Sequence, residues 1–296
     1  MKITHDAFPG SDWLGHQEIA KHPAGAADPL ERRAHPGHGA PTISRTLLGW
    51  FTWYSRRYAR KHFHTVRVAR NGLPHTFAGW PLVVYSNHAS WWDPIVCLLL
   101  RDKFFPERDT FAPMDSAMLR RYGFFKWLGF FGVEQQTRRG AVQFLTTAQT
   151  VLESPNAILA ITPQARFADV RERPIRFASG LGHLATRVPK ACFLPVAIEY
   201  VFWEERLPEV LVRFGPPVQV CSNKSARTQA ADWTRLFEKA LQDNLEALSV
   251  EAQRRRPDDF VVLLRGGSGQ GGVYDFWRWL KARSRGQKFR EGHASI

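Results

Sequence analysis

From Pro81 onward, short apolar runs alternate with longer stretches of helical periodicity, and that alternation constrains the fold more than any other feature. Leu82–Tyr85, Ala157–Ile161, Cys192–Ile198 and Val210–Phe214 read as strands, the first as a buried one. A helix is predicted from Asp93-Pro94 to about Leu100, and a long one from Ala226 to about Arg255. In the second, Trp233, Phe237, Leu241, Leu245 and Leu248 recur on one side. Strands separated by helices predict an α/β domain with a mostly parallel central sheet flanked by helices. The 296 residues are room for one large domain or two small ones.

The flanks read differently. Residues 1–40 carry Pro9, Pro23, Pro29 and Pro36 and five irregularly spaced histidines, which predicts a mobile arm and no metal site. Residues 41–64 read as an amphipathic N-terminal helix. Thr42 is its expected cap, and Ile43, Leu47, Phe51, Tyr54 and Tyr58 form one face. No acidic residue lies between Glu31 and Asp93, whereas nine basic ones do. A basic helix with Trp50 and Trp53 suits a lipid interface, or else packs on the domain with a solvated basic face. The α/β domain is placed at 65–255, followed by 256–296 as a Gly-rich hinge and an aromatic, basic C-terminal helix, Val273–Arg283. Gly267–Gly272 contains G-x-G-x-x-G, but only 24 residues follow it, too few for the returning strand of a dinucleotide-binding unit.

The formal charge of +14 favours a polyanionic partner, and 11 Trp with 21 Phe suit either a membrane boundary or base stacking. Residues 1–40 hold four basic against five acidic side chains, so the surplus lies beyond them. Cys97, Cys192 and Cys221 lie far apart, with no disulfide framework or zinc spacing, and a reducing compartment follows. The sequence offers no secretory signal core and no run of eighteen apolar residues, so the expectation is a protein lying on a membrane without crossing it.

The chemistry-bearing segment runs from Val83 to Pro94. A strand ends, His88 follows, and Asp93 stands five positions later at the mouth of a helix. Loops at the carboxyl ends of strands converge on a crevice in open α/β sheets. There a helix N-terminus holds a histidine neutral, and a carboxylate fixes its tautomer. The plainer reading makes Asp93 a helix N-cap before Pro94 and His88 an ordinary loop histidine.

Asn87-His88-Ala89-Ser90-Trp91-Trp92-Asp93-Pro94, after its strand, resembles the first motif of the glycerolipid/lysophospholipid acyltransferase superfamily, His-x4-Asp. Gly129–Arg139 looks like the second motif, a strand leading to an acceptor-binding arginine. Ile161–Phe167 falls where the third, Phe-Pro-Glu-Gly-Thr-Arg, belongs, and Leu194–Ile198 resembles the fourth, Pro-containing strand. The resemblance covers roughly residues 65 to 215 and is to the 1-acyl-glycerol-3-phosphate acyltransferase-like type. Its third motif diverges: Gln164 replaces the acid, Ala165 the glycine, Arg166 falls one position early and Phe167 takes the usual arginine position.

The resemblance implies an O-acyltransferase that uses acyl-CoA or acyl carrier protein as acyl donor and a lipid as acceptor, without a bound cofactor or metal. His88 would be the general base and Asp93 its orienting partner. Asn87, Arg138, Arg139, Gln164, Arg166 and Pro195 would contact substrate, with Arg138 and Arg139 as phosphate ligands. The altered third motif implies an acceptor that has drifted from glycerol phosphate. Cys97, among Ile95, Val96, Leu98 and Leu99, reads as packing rather than a nucleophile, and no G-x-S-x-G elbow occurs. The expected setting is peripheral, on the cytoplasmic face of an anionic membrane. Three rivals stand beside this reading: a degenerate lipid-binding member of the fold, a hydrolase using the same pair, and a nucleic-acid binder. No RRM, zinc-finger or zipper signature supports the last, and no nucleic-acid partner is expected.

Overall fold

The computed structural model describes residues 41–74, 79–221 and 228–267. Its strands are β1 (Thr65–Ala69), β2 (Leu82–Ser86), β3 (Asp109–Asp115), β4 (Phe130–Val133), β5 (Ala157–Ile161), β6 (Lys190–Val201), β7 (Glu209–Phe214), β8 (Val218–Cys221) and β9 (Phe260–Arg265). Its helices are α1 (Arg45–His62), α2 (Asp93–Phe104), α3 (Ser116–Arg121), α4 (Arg138–Leu152), α5 (Gly180–Ala185) and α6 (Ala230–Arg254). The strands make one sheet in the order β4-β3-β5-β2-β6-β7-β1-β9, with β8 pairing along the first residues of β6.

The architecture is α/β, with a mostly parallel central sheet between helices. β4, β3, β5, β2 and β6 run parallel as neighbours. The apolar runs of β5, β2 and β6 are continuous because both faces are covered. Along β6, Phe193 and Ala197 join the core under α4, α5 and α6, while Leu194, Val196 and Ile198 join the core under α1 and α2. The predicted stripe of α6, Trp233 through Leu248, is buried in the first of these cores. α5 packs closely on α6 because Gly182 has no side chain: a Cβ there would stand 2.1 Å from the Ala230 carbonyl oxygen.

Val210–Phe214 runs parallel to β1 and antiparallel to β6, because the seven residues between β6 and β7 are too few for a crossover helix. Two expectations are corrected. The domain does not stop at 255: Phe260–Arg265 is β9, antiparallel to β1, so the sheet extends to residue 265. In α1 the cap is Ser44, whose hydroxyl accepts from the Leu47 N–H, while Thr42 is exposed. The most buried face of α1 is Leu48, Thr52, Ser55 and Ala59, mostly small residues that let the helix approach closely. The aromatic stripe lies one step round and is half-buried, Phe51 against Phe124 and Phe125, Tyr58 against Trp92. The arm at 1–40, the glycines from 269 to 272 and the C-terminal helix 273–283 lie outside the described residues.

Candidate active site

β2 delivers its last residues to the carboxyl edge of the sheet, and Asn87 fixes the exit. Its Nδ2 donates to the Ile198 carbonyl and its Oδ1 accepts from the Ile198 N–H, both at 2.9 Å. The loop after β5 grips the next residue. The His88 N–H donates to Gln164 Oε1 at 3.1 Å, and the Ala168 N–H donates to the His88 carbonyl at 2.9 Å. The backbone of His88 is thus held by the loop after β5, leaving its ring to be aimed separately.

Asp93 aims the ring. His88 Nδ1 lies 2.8 Å from Asp93 Oδ2, which also accepts from the Ser90 N–H at 3.0 Å. Tyr200, near the end of β6, donates its hydroxyl to Asp93 Oδ1 at 2.6 Å. Both oxygens accept from donors, and Oδ2 is placed to accept the Nδ1 proton as well. Nε2 is then the unprotonated nitrogen. The His88 side chain is 20% exposed and that of Asp93 only 1%, so the base is reachable and its partner is not. Asp93 also occupies the first turn of α2, where the helix dipole favours a negative charge. The helix-cap reading of Asp93 gives way: the cap position is Trp92, which makes no side-chain capping bond, and Asp93 faces the histidine.

Burial, then the Asp93 charge, holds the Tyr200 phenol well above its usual range, so it remains a donor. Burial first, and Asp93 second, pushes the Cys97 thiol up to about 12. A thiol that hard to ionise is a poor nucleophile. Tyr200 is a member of the site that sequence reasoning did not reach. The available signal was Glu199-Tyr200, polar residues ending the apolar run of β6 at the edge where His88 emerges.

The remaining predicted residues separate. Gln164 joins the site through His88, and Phe167 lays its ring on the imidazole with centroids 4.2 Å apart and planes at 32°. Arg166 is exposed and engaged with Glu172 and with the Phe167 carbonyl. Arg138 and Arg139 are exposed in the first turn of α4, beyond β4. That start lies three strands from β2, roughly 14 Å at the usual inter-strand spacing. Asn87 and Pro195 are both buried: the Asn87 amide donates to and accepts from Ile198, and Pro195 lies within β6 opposite Tyr85.

Ala165, in the turn that presents Gln164 and Phe167, has φ +54°. A Cβ in the left-handed region costs about 1–2 kcal/mol. Ala165→Gly is therefore expected to raise stability by about 1 kcal/mol, a gain of about 2–4 °C in Tm by thermal unfolding. An unchanged or lower Tm would mean that the turn is not strained.

Two open spaces lie along α1. One cleft of about 370 Å³ is lined by Arg45, Leu48, Thr52, Trp53 and Arg56 of α1 and by Arg101 and Asp102 of α2. A groove of about 660 Å³ runs over Trp53, Arg56, Arg57, Arg60 and Lys61. Neither contains an acid–base pair of the His88–Asp93 kind. Among the described residues no group of His, Cys, Asp and Glu is arranged to hold a metal ion, and no helix is long and apolar enough to cross a membrane.

No protein-family model matches this chain, and no curated protein matches it. Among solved structures, the crystal structure of the 1-acyl-sn-glycerophosphate (LPA) acyltransferase PlsC from Thermotoga maritima is similar at 15% identity and a TM-score of 0.46. The match covers 69% of this chain and 80% of that one.

Proposed function

We propose that this chain is an O-acyltransferase of the glycerolipid/lysophospholipid type, moving a fatty acyl group from a thioester to a hydroxyl of a lipid acceptor. The observation that carries the reading is a partly exposed His88 ring whose Nδ1 is held by the buried Asp93. His88 Nε2 takes the acceptor's hydroxyl proton as its oxygen attacks the thioester carbonyl. The new C–O bond forms, the C–S bond breaks, and the proton passes to the departing sulfur. Asp93 stabilises the imidazolium in between. The donor is acyl-CoA or an acyl carrier protein. Arg138 and Arg139, exposed at the same edge of the sheet, are our candidates for binding its phosphates.

The test is purified protein with radiolabelled acyl-CoA and a membrane lipid extract. Labelled ester lipid supports the reading, whereas free fatty acid alone, or an intact thioester, overturns it.

The site works at the cytoplasmic face of a membrane, and α1 supplies a surface suited to it. Trp50 and Trp53 are 56% and 60% exposed. Phe124, which meets α1 through Phe51, and Trp127, whose carbonyl accepts from the Ser44 N–H, are also exposed, and Arg57, Arg60 and Lys61 line a groove with Trp53. Aromatic rings among cations match an anionic lipid interface. Flotation is expected with vesicles containing anionic lipid and to fall about tenfold in Trp50→Ser/Trp53→Ser. Equal recovery with neutral and anionic vesicles would remove this surface from the account.

A further inference from the structure

The loop between β5 and α5, residues 162–178, forms the wall beside His88, and its arginines are paired with carboxylates of the loop and of α6. It carries four arginines. Arg166 is paired with Glu172, and Arg171 grips Asp169 through two hydrogen bonds of 2.9 and 2.8 Å. Arg173 reaches Glu246 at 3.6 Å and donates to two carbonyls of its own loop. Arg176 reaches Glu238 at 3.6 Å, and that carboxylate also accepts from the Phe177 N–H. Four guanidinium groups therefore face four carboxylates, two of the loop and two of α6.

The groups this loop does present to His88 are uncharged. Phe167 covers one face of the imidazole and is itself 45% exposed, so its other surface is open. Gln164 spends its carbonyl on the His88 N–H, which leaves the amide nitrogen as its remaining donor. A phosphate monoester beside the reacting hydroxyl needs charge-assisted donors, and losing water without them is costly. The negative face of an aromatic ring adds repulsion, whereas C–H groups of a neutral skeleton meet that face favourably.

Resting on the acyltransferase reading, we infer that the acceptor is an uncharged alcohol, its carbon skeleton seated on Phe167, and not a phosphate monoester. Phe167 is then a specificity-determining residue, and the Arg166–Glu172 pair keeps a cation out of the acceptor's reach.

The test compares acceptors differing in charge. Monoacylglycerol and an alkyl glycoside are set against monoacylglycerol phosphate, all in phosphatidylcholine vesicles carrying the same fraction of anionic lipid, with acyl-CoA. The better uncharged acceptor is expected to exceed the phosphate in kcat/KM by at least about tenfold. Equal or better use of the phosphate overturns the inference and leaves the acyltransferase reading standing. Acylation of none of the three overturns both. Two variants read the mechanism of the preference. Phe167→Ala is expected to raise KM for the uncharged acceptor about 5- to 10-fold with kcat within about twofold. A fall in kcat alone would make Phe167 a positioning residue for His88 and remove the seat assigned to it. Glu172→Gln releases Arg166 and is expected to raise use of the phosphate acceptor about fivefold without change for the uncharged one. No gain there means that the pair does not set the preference.

Discussion

His88→Ala is expected to lower acyl transfer by about 10³-fold or more while leaving the fold in place. The rate falls because no other described base takes the place of Nε2. Asp93 is buried behind the ring, and Tyr200 is held protonated. The fold persists because the side chain is not what holds this segment. Asn87 remains clasped to Ile198, and the two backbone bonds of residue 88 to the β5 loop do not involve the imidazole. Nor is Asp93 orphaned, since the Ser90 N–H and the Tyr200 hydroxyl still reach it. Radiolabelled acyl transfer measures the loss, and circular dichroism with urea unfolding checks the structure. A variant that folds and still forms product at a tenth of the wild-type rate would sink the assignment of His88 as the base.

Much of the fold was readable because burial on both faces leaves a plain trace. β2, β5 and the apolar part of β6 are runs without charge, and α6 shows its buried stripe at helical spacing. Two of the strands that escaped notice, β1 and β3, hold polar or awkward residues whose burial depends on partners far along the chain. β1 contains Arg67, enclosed only because it meets Glu209 on β7, which also accepts from Thr65 at 2.6 Å. β3 begins and ends with aspartate and contains Pro113. The site divides the same way. His88 and Asp93 lie five residues apart, so local spacing exposed them as a pair. Tyr200 lies 107 residues beyond Asp93 and meets it only because β6 is the parallel neighbour of β2. For Asn87, the motif position said nothing of its use: the amide is a backbone clasp, a role fixed by Ile198 across the sheet.

Asp93→Asn separates the two services Asp93 performs. The substituted amide has one oxygen and one NH2 group, and its orientation is decided by the Ser90 N–H, a donor with no alternative role. The oxygen must face Ser90 and His88, because an NH2 there would oppose that donor. The NH2 group then faces Tyr200, whose hydroxyl oxygen accepts as readily as it donates. His88 therefore keeps its proton on Nδ1 and its free pair on Nε2, so orientation and tautomer survive. What disappears is the negative charge opposite the imidazolium that forms during attack. For charges about 4 Å apart at an effective dielectric near 20, that attraction is about 4 kcal/mol. The corresponding fall in kcat is about 10³-fold. KM for an uncharged acceptor is expected to stay within about threefold, because the lost interaction exists only once the proton has moved. Steady-state kinetics on the two proteins decides it. A kcat within tenfold of wild type would show that the charge of Asp93 is not used, and a rise in KM without a fall in kcat would place Asp93 in binding rather than in the proton transfer.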